Sequence, residues 1–439
     1  MTAEPSAVEL GGGDVGRQLH ALVEQLYPIN RSWTGDGVRE TLALLRERIP
    51  LEVREVPSGT PVFDWQAPLE WNVREAWVSG PDGIRIADVE RHSLHLVGYS
   101  VPISSRMTLR ELEPHLHSIP ERPDDIPYRT SYFGDTWGFC LPHGRRQRLA
   151  EGEYEVHVDS TLEAGSLTYG ELFLPGSTED EVLFTTHVCH PSMANDNCSG
   201  LAVASALAER LAAGHSRRHG YRFLFTPGTI GSLVWLSLNE GRLERLRAGI
   251  VLACLGDPGP LTWKRSRRGS SLVDRAVERV LADRGGEASV RDFVPYGYDE
   301  RQFCSPGFDL PVGRLTRTPN GEYPEYHTSA DDLDLVTPDA LADSLAALLD
   351  VVDVLEREGV YRNLSPKGEP QLGRRGLYGN IGGMSREEGF ELALLWVLNL
   401  SDGRASLLDV ADRSSLPFAT VAAAADALVA AGLLELQTQ

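Results

Sequence analysis

The hydrophobic pattern along the chain changes period several times, and each change predicts a different kind of element. Apolar residues at helical spacing over 15–27 (VGRQLHALVEQLY) and 37–48 (GVRETLALLRER) predict two amphipathic helices. The alternation in 50–57 (PLEVREVP) predicts a strand. From about 60 to 145 the texture is rich in Pro, Trp, His and Arg. REAWVSG, the turn Gly80–Gly83 and IRIADV read as a hairpin, TLRELEPHLHSI as a helix, and the aromatic stretch 127–140 as a long functional loop. From about 150 to 357 short apolar runs alternate with helical segments. The expected strands are 181–187, 222–226, 249–256 and 310–315; the expected helices are 199–214, 230–240, 270–284 and 338–358. Buried strands alternating with helices imply an α/β fold with a mostly parallel sheet covered on both faces.

The C-terminal stretch follows another grammar. Over 385–437 it reads helix, short helix with Asp409–Arg413, a turn at Ser414–Pro417, helix at Phe418–Ala431, then GLLEL, which is the order of a winged helix. The expected division is an α/β domain of 14–60 and 146–362, a small β-rich insertion at 61–145 and a winged helix at 384–439. Residues 1–13 are expected to be disordered.

Composition narrows the function classes. The chain has 439 residues, 41% hydrophobic and 24% charged, which is globular composition with material for a real core. Its 42 Lys+Arg against 63 Asp+Glu give a formal charge of −21. Such a chain repels phosphate backbones and anionic membranes unless its basic residues are segregated. The would-be recognition helix FATVAAAADALVAA carries no Lys or Arg. The winged helix is therefore expected to contact protein, as a homo-oligomer interface, rather than nucleic acid. The N-terminus lacks a signal-peptide pattern and no run is long enough to span a bilayer, so a soluble cytoplasmic protein without a membrane partner is expected. Five scattered cysteines with no CxxC pair argue against a disulfide framework or a cysteine zinc cage.

Candidate chemistry gathers at strand ends, where α/β sheets bind ligands. His187 closes a buried strand, His190 follows in the loop, and Asp196 stands at the mouth of the next helix. Asp257 follows a later strand, and His327 sits in the acidic run GEYPEYHTSADDLD (321–334). Imidazole and carboxylate together suit zinc. Each residue also has a plainer reading: Asp196 as a helix cap, Asp257 as a turn residue before Pro258, His327 as part of a solvated loop.

The order of these features, with DN-SG opening a helix and YHTSADDLD near the end, resembles the zinc-dependent aminopeptidases related to leucyl aminopeptidases. The whole chain resembles bacterial aminopeptidase-like proteins that combine a peptidase-like domain, a small inserted β domain and a C-terminal winged helix. The runs that carry this are WNVREAWV, LHLVGYS, IPYRTSYF, WGFCLPH, THVCHPSMANDNCSG, DERQFCSPGFDLPVG and GEYPEYHTSADDLD. The resemblance implies one or two zinc ions on His187, Asp196, Asp257 and His327, with Asp196 as the bridge. It implies Glu322 or Glu325 as acidic groups for an amine or for catalysis. Tyr128, Arg129, Tyr132 and Trp137 would reach the substrate, a small peptide or aminoacylated metabolite, or else pack the core of the insertion.

One position departs from the pattern. Where the relatives read Pro-Glu-Thr-Ile-Gly-Ser, this chain reads Pro227-Gly228-Thr229-Ile230-Gly231-Ser232. The expected general-base acid is absent. Three outcomes follow: a neighbouring carboxylate (Glu322, Glu325 or Glu300) takes over, a single metal does different chemistry, or the protein is a non-hydrolytic metal-holding scaffold in a biosynthetic pathway.

Overall fold

The structure is a computed structural model that describes residues 12–214, 216–378 and 389–437. Most of the N-terminal segment expected to be disordered, and residues 384–388 at the start of the expected winged helix, lie outside the described residues. The chain divides into two compact units: residues up to Gly269 with Ser289–Ala346, and Ser270–Ala288 with residues from Ala347 on.

The first unit is built on an eight-stranded sheet. Its strands are β1 (Glu52–Pro57), β2 (Ser166–Leu174), β3 (Glu181–His187), β4 (Gly220–Thr226), β5 (Leu246–Leu252), β6 (Thr262–Lys264), β7 (Ser289–Arg291) and β8 (Val312–Thr316). The spatial order is β1-β2-β4-β3-β5-β8-β6-β7. The centre, β4-β3-β5-β8, is parallel throughout, and antiparallel strands flank it on both sides. All residues of β3 and β4 are buried, as expected of strands covered on both faces. Burying side chains such as Leu183, Phe184, Phe223 and Phe225 contributes roughly 1.5–3 kcal/mol each. The carboxyl ends of the central strands meet at one edge, which is where the expected ligands lie.

A four-stranded antiparallel sheet is inserted between β1 and β2, in the order Arg85–Asp88, Glu70–Ser79, Glu153–Glu163, Ile103–Thr108. It runs past the expected limit at 145, because EYEVHVDST alternates buried and exposed residues and pairs along Glu70–Ser79. The expected helix in TLRELEPHLHSI is only one turn, Leu109–Leu112, opened by a Thr108–Glu111 capping box. Pro114 follows within a 3₁₀ turn, since proline cannot continue the hydrogen-bond ladder.

The second unit contains the winged helix. Strands Val360–Asn363, Asp402–Ser406 and Leu434–Leu436 form an antiparallel sheet with helices Phe390–Leu400, Leu407–Ser414 and Phe418–Ala430. The strand Val360–Asn363 precedes the expected start at 384. Helix Leu272–Arg284 belongs to this unit, and its Arg275 holds Asp409 and Asp412 at 2.8 and 3.0 Å. Among the described residues no helix is long and apolar enough to cross a membrane.

Candidate active site

The carboxyl end of β3 delivers His187, and the following loop folds back so that Asp196 meets it. Asp196 is fully buried. His187 Nε2 lies 2.8 Å from its Oδ1, and His327 Nε2 lies 3.0 Å from its Oδ2. His190 Nε2 stands 3.9 Å from the same Oδ2. Burial alone would raise the Asp196 carboxyl, but the imidazoles of His190 and His187 around it hold it well below the usual carboxylate range. Burial pushes His190 well below the ordinary imidazole value, so it stands neutral with a lone pair to offer.

The loop that presents Asp196 is held by residues with no direct role in the cluster. Asp331 accepts the backbone N–H of Asn195 and Asp196 at 2.5 and 3.0 Å. Asn197 Nδ2 donates to Thr186 Oγ1, and Asn197 Oδ1 accepts the backbone N–H of Cys254, joining β3 to the end of β5. Arg31, buried near the N-terminus, donates to the His190 carbonyl at 3.0 Å. His327 adopts a positive φ of 58°, unusual for a residue with a Cβ, and Tyr326 stacks on its ring at 3.9 Å.

Asp257 is not brought to this cluster. The strand expected over 249–256 ends at Leu252, and Cys254 turns the chain with φ 49°. Asp257, three residues on, spends its oxygens on Asn195 Nδ2 (3.0 Å), Thr318 Oγ1 (2.6 Å) and the Gly259 N–H (2.9 Å). It braces the Asp196 loop from behind.

A cleft of about 850 Å³ opens over the histidines. Of the expected substrate residues, Tyr128 and Tyr132 line it, and the Tyr128 ring lies 5.0 Å from both His190 and His327. Arg129 is exposed and does not line the cleft. Trp137 stacks on His115 at 3.8 Å and packs on the insertion core, which was the alternative reading for it. Glu322 is exposed and forms a two-pronged pair with Arg291, and neither it nor Glu325 is among the described lining residues. Glu300 is buried against Lys264 at 2.7 Å.

The space beside Gly228 is bordered by an acid, Asp299. A Cβ built on Gly228 would sit 3.1 Å from His187 Cβ and 3.4 Å from both carboxylate oxygens of Asp299. Asp299 is fully buried, and neither oxygen has a hydrogen-bond partner. Ser232 Oγ is near enough to favour its ionised form but is itself without a well-aligned partner. Burial raises the Asp299 carboxyl to about 7, against the pull of His187. Trp33, whose Nε1 donates to the Gly228 carbonyl at 3.0 Å, is a second cleft residue that no sequence signal marked.

The model of the Domain of unknown function (DUF4910) family matches residues 20–358, and a winged helix-turn-helix model matches 359–436. The chain belongs to the DUF4910 family. A family relative from Clostridium acetobutylicum, "Putative polysaccharide biosynthesis protein with aminopeptidase-like domain", is 48% identical over 423 residues, 96% of this chain and 97% of that protein. The crystal structure of a "putative peptidase" from the same organism matches with 47% identity and a TM-score of 0.92 over 97% of each chain. A zinc aminopeptidase from Bacillus subtilis shares the fold at 15% identity and a TM-score of 0.57, covering 79% of this chain and 96% of that one. This DUF4910 chain thus has an aminopeptidase-like α/β fold followed by a winged helix.

Proposed function

We propose that the cleft cleaves an acyl bond, an amide or an ester, of a small molecule with the help of one zinc ion. The observation that carries this is the buried Asp196 carboxylate with a histidine Nε2 on each oxygen at 2.8 and 3.0 Å and a third imidazole at 3.9 Å. Imidazoles converging on a buried carboxylate are a donor set that fits zinc. His187, Asp196 and His327 would hold the ion, with His190 alongside. Bound there, zinc supplies a Lewis acid and lowers the pKa of water. The chain supplies the rest. Asp331 and Asn197 fix the loop, Tyr128 and Tyr132 shape the cleft, and Asp299 is the carboxyl group nearest the place of the missing acid. With glycine at 228, one ion per chain is expected rather than two.

A molecule the size of a small peptide or acylated metabolite fits the cleft volume, and the name of the Clostridium relative supports a setting in polysaccharide biosynthesis. A second reading has a specific observation behind it. Gly228 leaves the site without the usual base, so a scaffold that holds metal without turnover is the rival. The winged helix we propose as a protein-contact module, since the acids of its Leu407–Ser414 helix are already paired to Arg275.

The test is metal content by mass spectrometry on the purified chain, with an acyl-substrate panel of aminoacyl and N-acetyl anilides. One zinc per chain, lost in Asp196→Asn together with at least a 100-fold fall in hydrolysis, is expected. Zinc retained by Asp196→Asn would overturn the site. Zinc present with no hydrolysis above free metal would establish the scaffold.

A further inference from the structure

The cleft over the histidines lacks the feature that an enzyme acting on a free amine needs. Among the described residues that line it there is no Asp and no Glu. Of the two acids expected to meet an amine, Glu322 pairs with Arg291, and Glu325 is not among the lining residues. The charged side chains that do line the cleft, besides histidine, are Arg267 and Arg301. Arg267 is neutralised by Asp309 at 2.9 Å.

Arg301 is different. No hydrogen bond or ion pair forms to its guanidinium among the described residues, and its Nε is buried without a partner. Buried donors are nearly always satisfied, and leaving one unmade costs about 1–3 kcal/mol. The neighbouring acid, Asp299, accepts no hydrogen bond. Arg301 follows Tyr298 by three residues, and the Tyr298 ring stacks on His187 at 4.8 Å. Arg301 and His187 line the same cleft. Tyr296 and Tyr132, 73% and 75% exposed, also line the cleft and offer aromatic faces.

We propose that this cleft takes an acylated substrate bearing a carboxylate or phosphate, which Arg301 grips, and not a substrate with a free N-terminal amine. This rests on the acyl-hydrolase reading above and narrows its substrate class. A guanidinium fork matches either anion with two parallel hydrogen bonds. An ammonium would find only imidazoles and guanidiniums, with no countercharge in the wall. The aromatic faces would hold the substrate's ring while the acyl group lies toward His187 and His327.

Calorimetric binding of four probes tests the proposal: N-acetylphenylalanine (carboxylate), N-acetylglucosamine 1-phosphate (phosphate), N-acetylglucosamine (neutral) and phenylalaninamide (cationic). Each is measured on the zinc-loaded and the metal-free chain. At least one anionic probe should bind tenfold or more tighter than both the neutral and the cationic probe, and which one does names the anion. Arg301→Gln should erase that preference, Arg301→Lys should keep part of it, and both should leave zinc content unchanged. Phenylalaninamide binding as tightly as the anionic probes, or a preference that survives Arg301→Gln, would overturn it. The metal reading fails separately, if no zinc loads while the metal-free chain still selects the anion.

Discussion

The loops that follow the neighbouring strands β3 and β4 treat their polar groups in opposite ways. After β3, the polar groups that hold Asp196 are paired. Asn195 and Asn197 donate and accept with their side chains, Asp331 takes two backbone N–H groups, and Asp257 braces Asn195. After β4, where the acid has become Gly228, Thr226 Oγ1, Ser232 Oγ and both oxygens of Asp299 are buried without a partner. A satisfied buried network is rigid and specifies one geometry, whereas an unsatisfied one destabilises the fold and needs a reason to persist. The comparison separates a half of the centre whose polar groups are fixed by partners from a half where a buried acid, Asp299, stands beside Gly228 without one.

The largest test of this contrast is pH. The Asp299 carboxyl lies near 3.8 when solvated and is raised to about 7 by burial. A raised acid pKa means that the folded state holds the proton more tightly. The contribution of Asp299 to stability is therefore fully present below about pH 4, is lost as pH rises toward 7, and is constant above. At ~1.4 kcal/mol per unit this is as much as ~4 kcal/mol. Metal-free Asp299→Asn should be more stable than the parent by a margin that grows from pH 4 to 7, read by denaturant unfolding. A margin independent of pH would mean that Asp299 is ionised and paired.

Restoring the acid comes next. Gly228→Glu would set a Cβ 3.1 Å from His187 Cβ with the Asp299 carboxylate 3.4 Å away, and overpacking of this kind costs ~1–3 kcal/mol. Gly228→Glu with Asp299→Ala should recover most of that stability and raise zinc content from one toward two per chain. If Gly228→Glu alone is as stable as the parent, the two acids do not compete for one space.

On the satisfied side, Asp257→Asn should cost ~1–2 kcal/mol through its lost acceptors and leave zinc content unchanged. Zinc lost at unchanged stability would make Asp257 a ligand after all. The smallest effect belongs to Glu322→Gln, which breaks an exposed pair with Arg291: at most ~1 kcal/mol in thermal unfolding, with hydrolysis untouched. A tenfold fall in hydrolysis would return Glu322 to the catalytic machinery.

Periodicity made the buried strands 181–187 and 222–226 and the helices between them legible, because a strand covered on both faces and a helix with one apolar stripe leave different spacings. The long strand Glu153–Glu163 was missed although its alternation is plain, because nothing local says which sheet it joins. His187, Asp196 and His327 were legible as residue types at strand ends, and the structure brings the three together. Asp257 and Glu322 carried the same kind of signal, yet the structure gives them bracing and surface pairs. Residue type alone does not reveal which partner reaches a carboxylate first.

The sequence by itself determined the central buried strands and the helices between them, the acidic charge that disfavours nucleic-acid backbones, and the absence of an acid at 228, since these depend on local pattern and composition. Only the tertiary structure decided that Asp299, 71 residues from Gly228 in the chain, lies beside it, and that the described cleft wall presents an unpaired Arg301 and no carboxylate. Those facts depend on long-range packing, which places side chains from separate loops within a few ångströms of one another and which no spacing along the chain encodes.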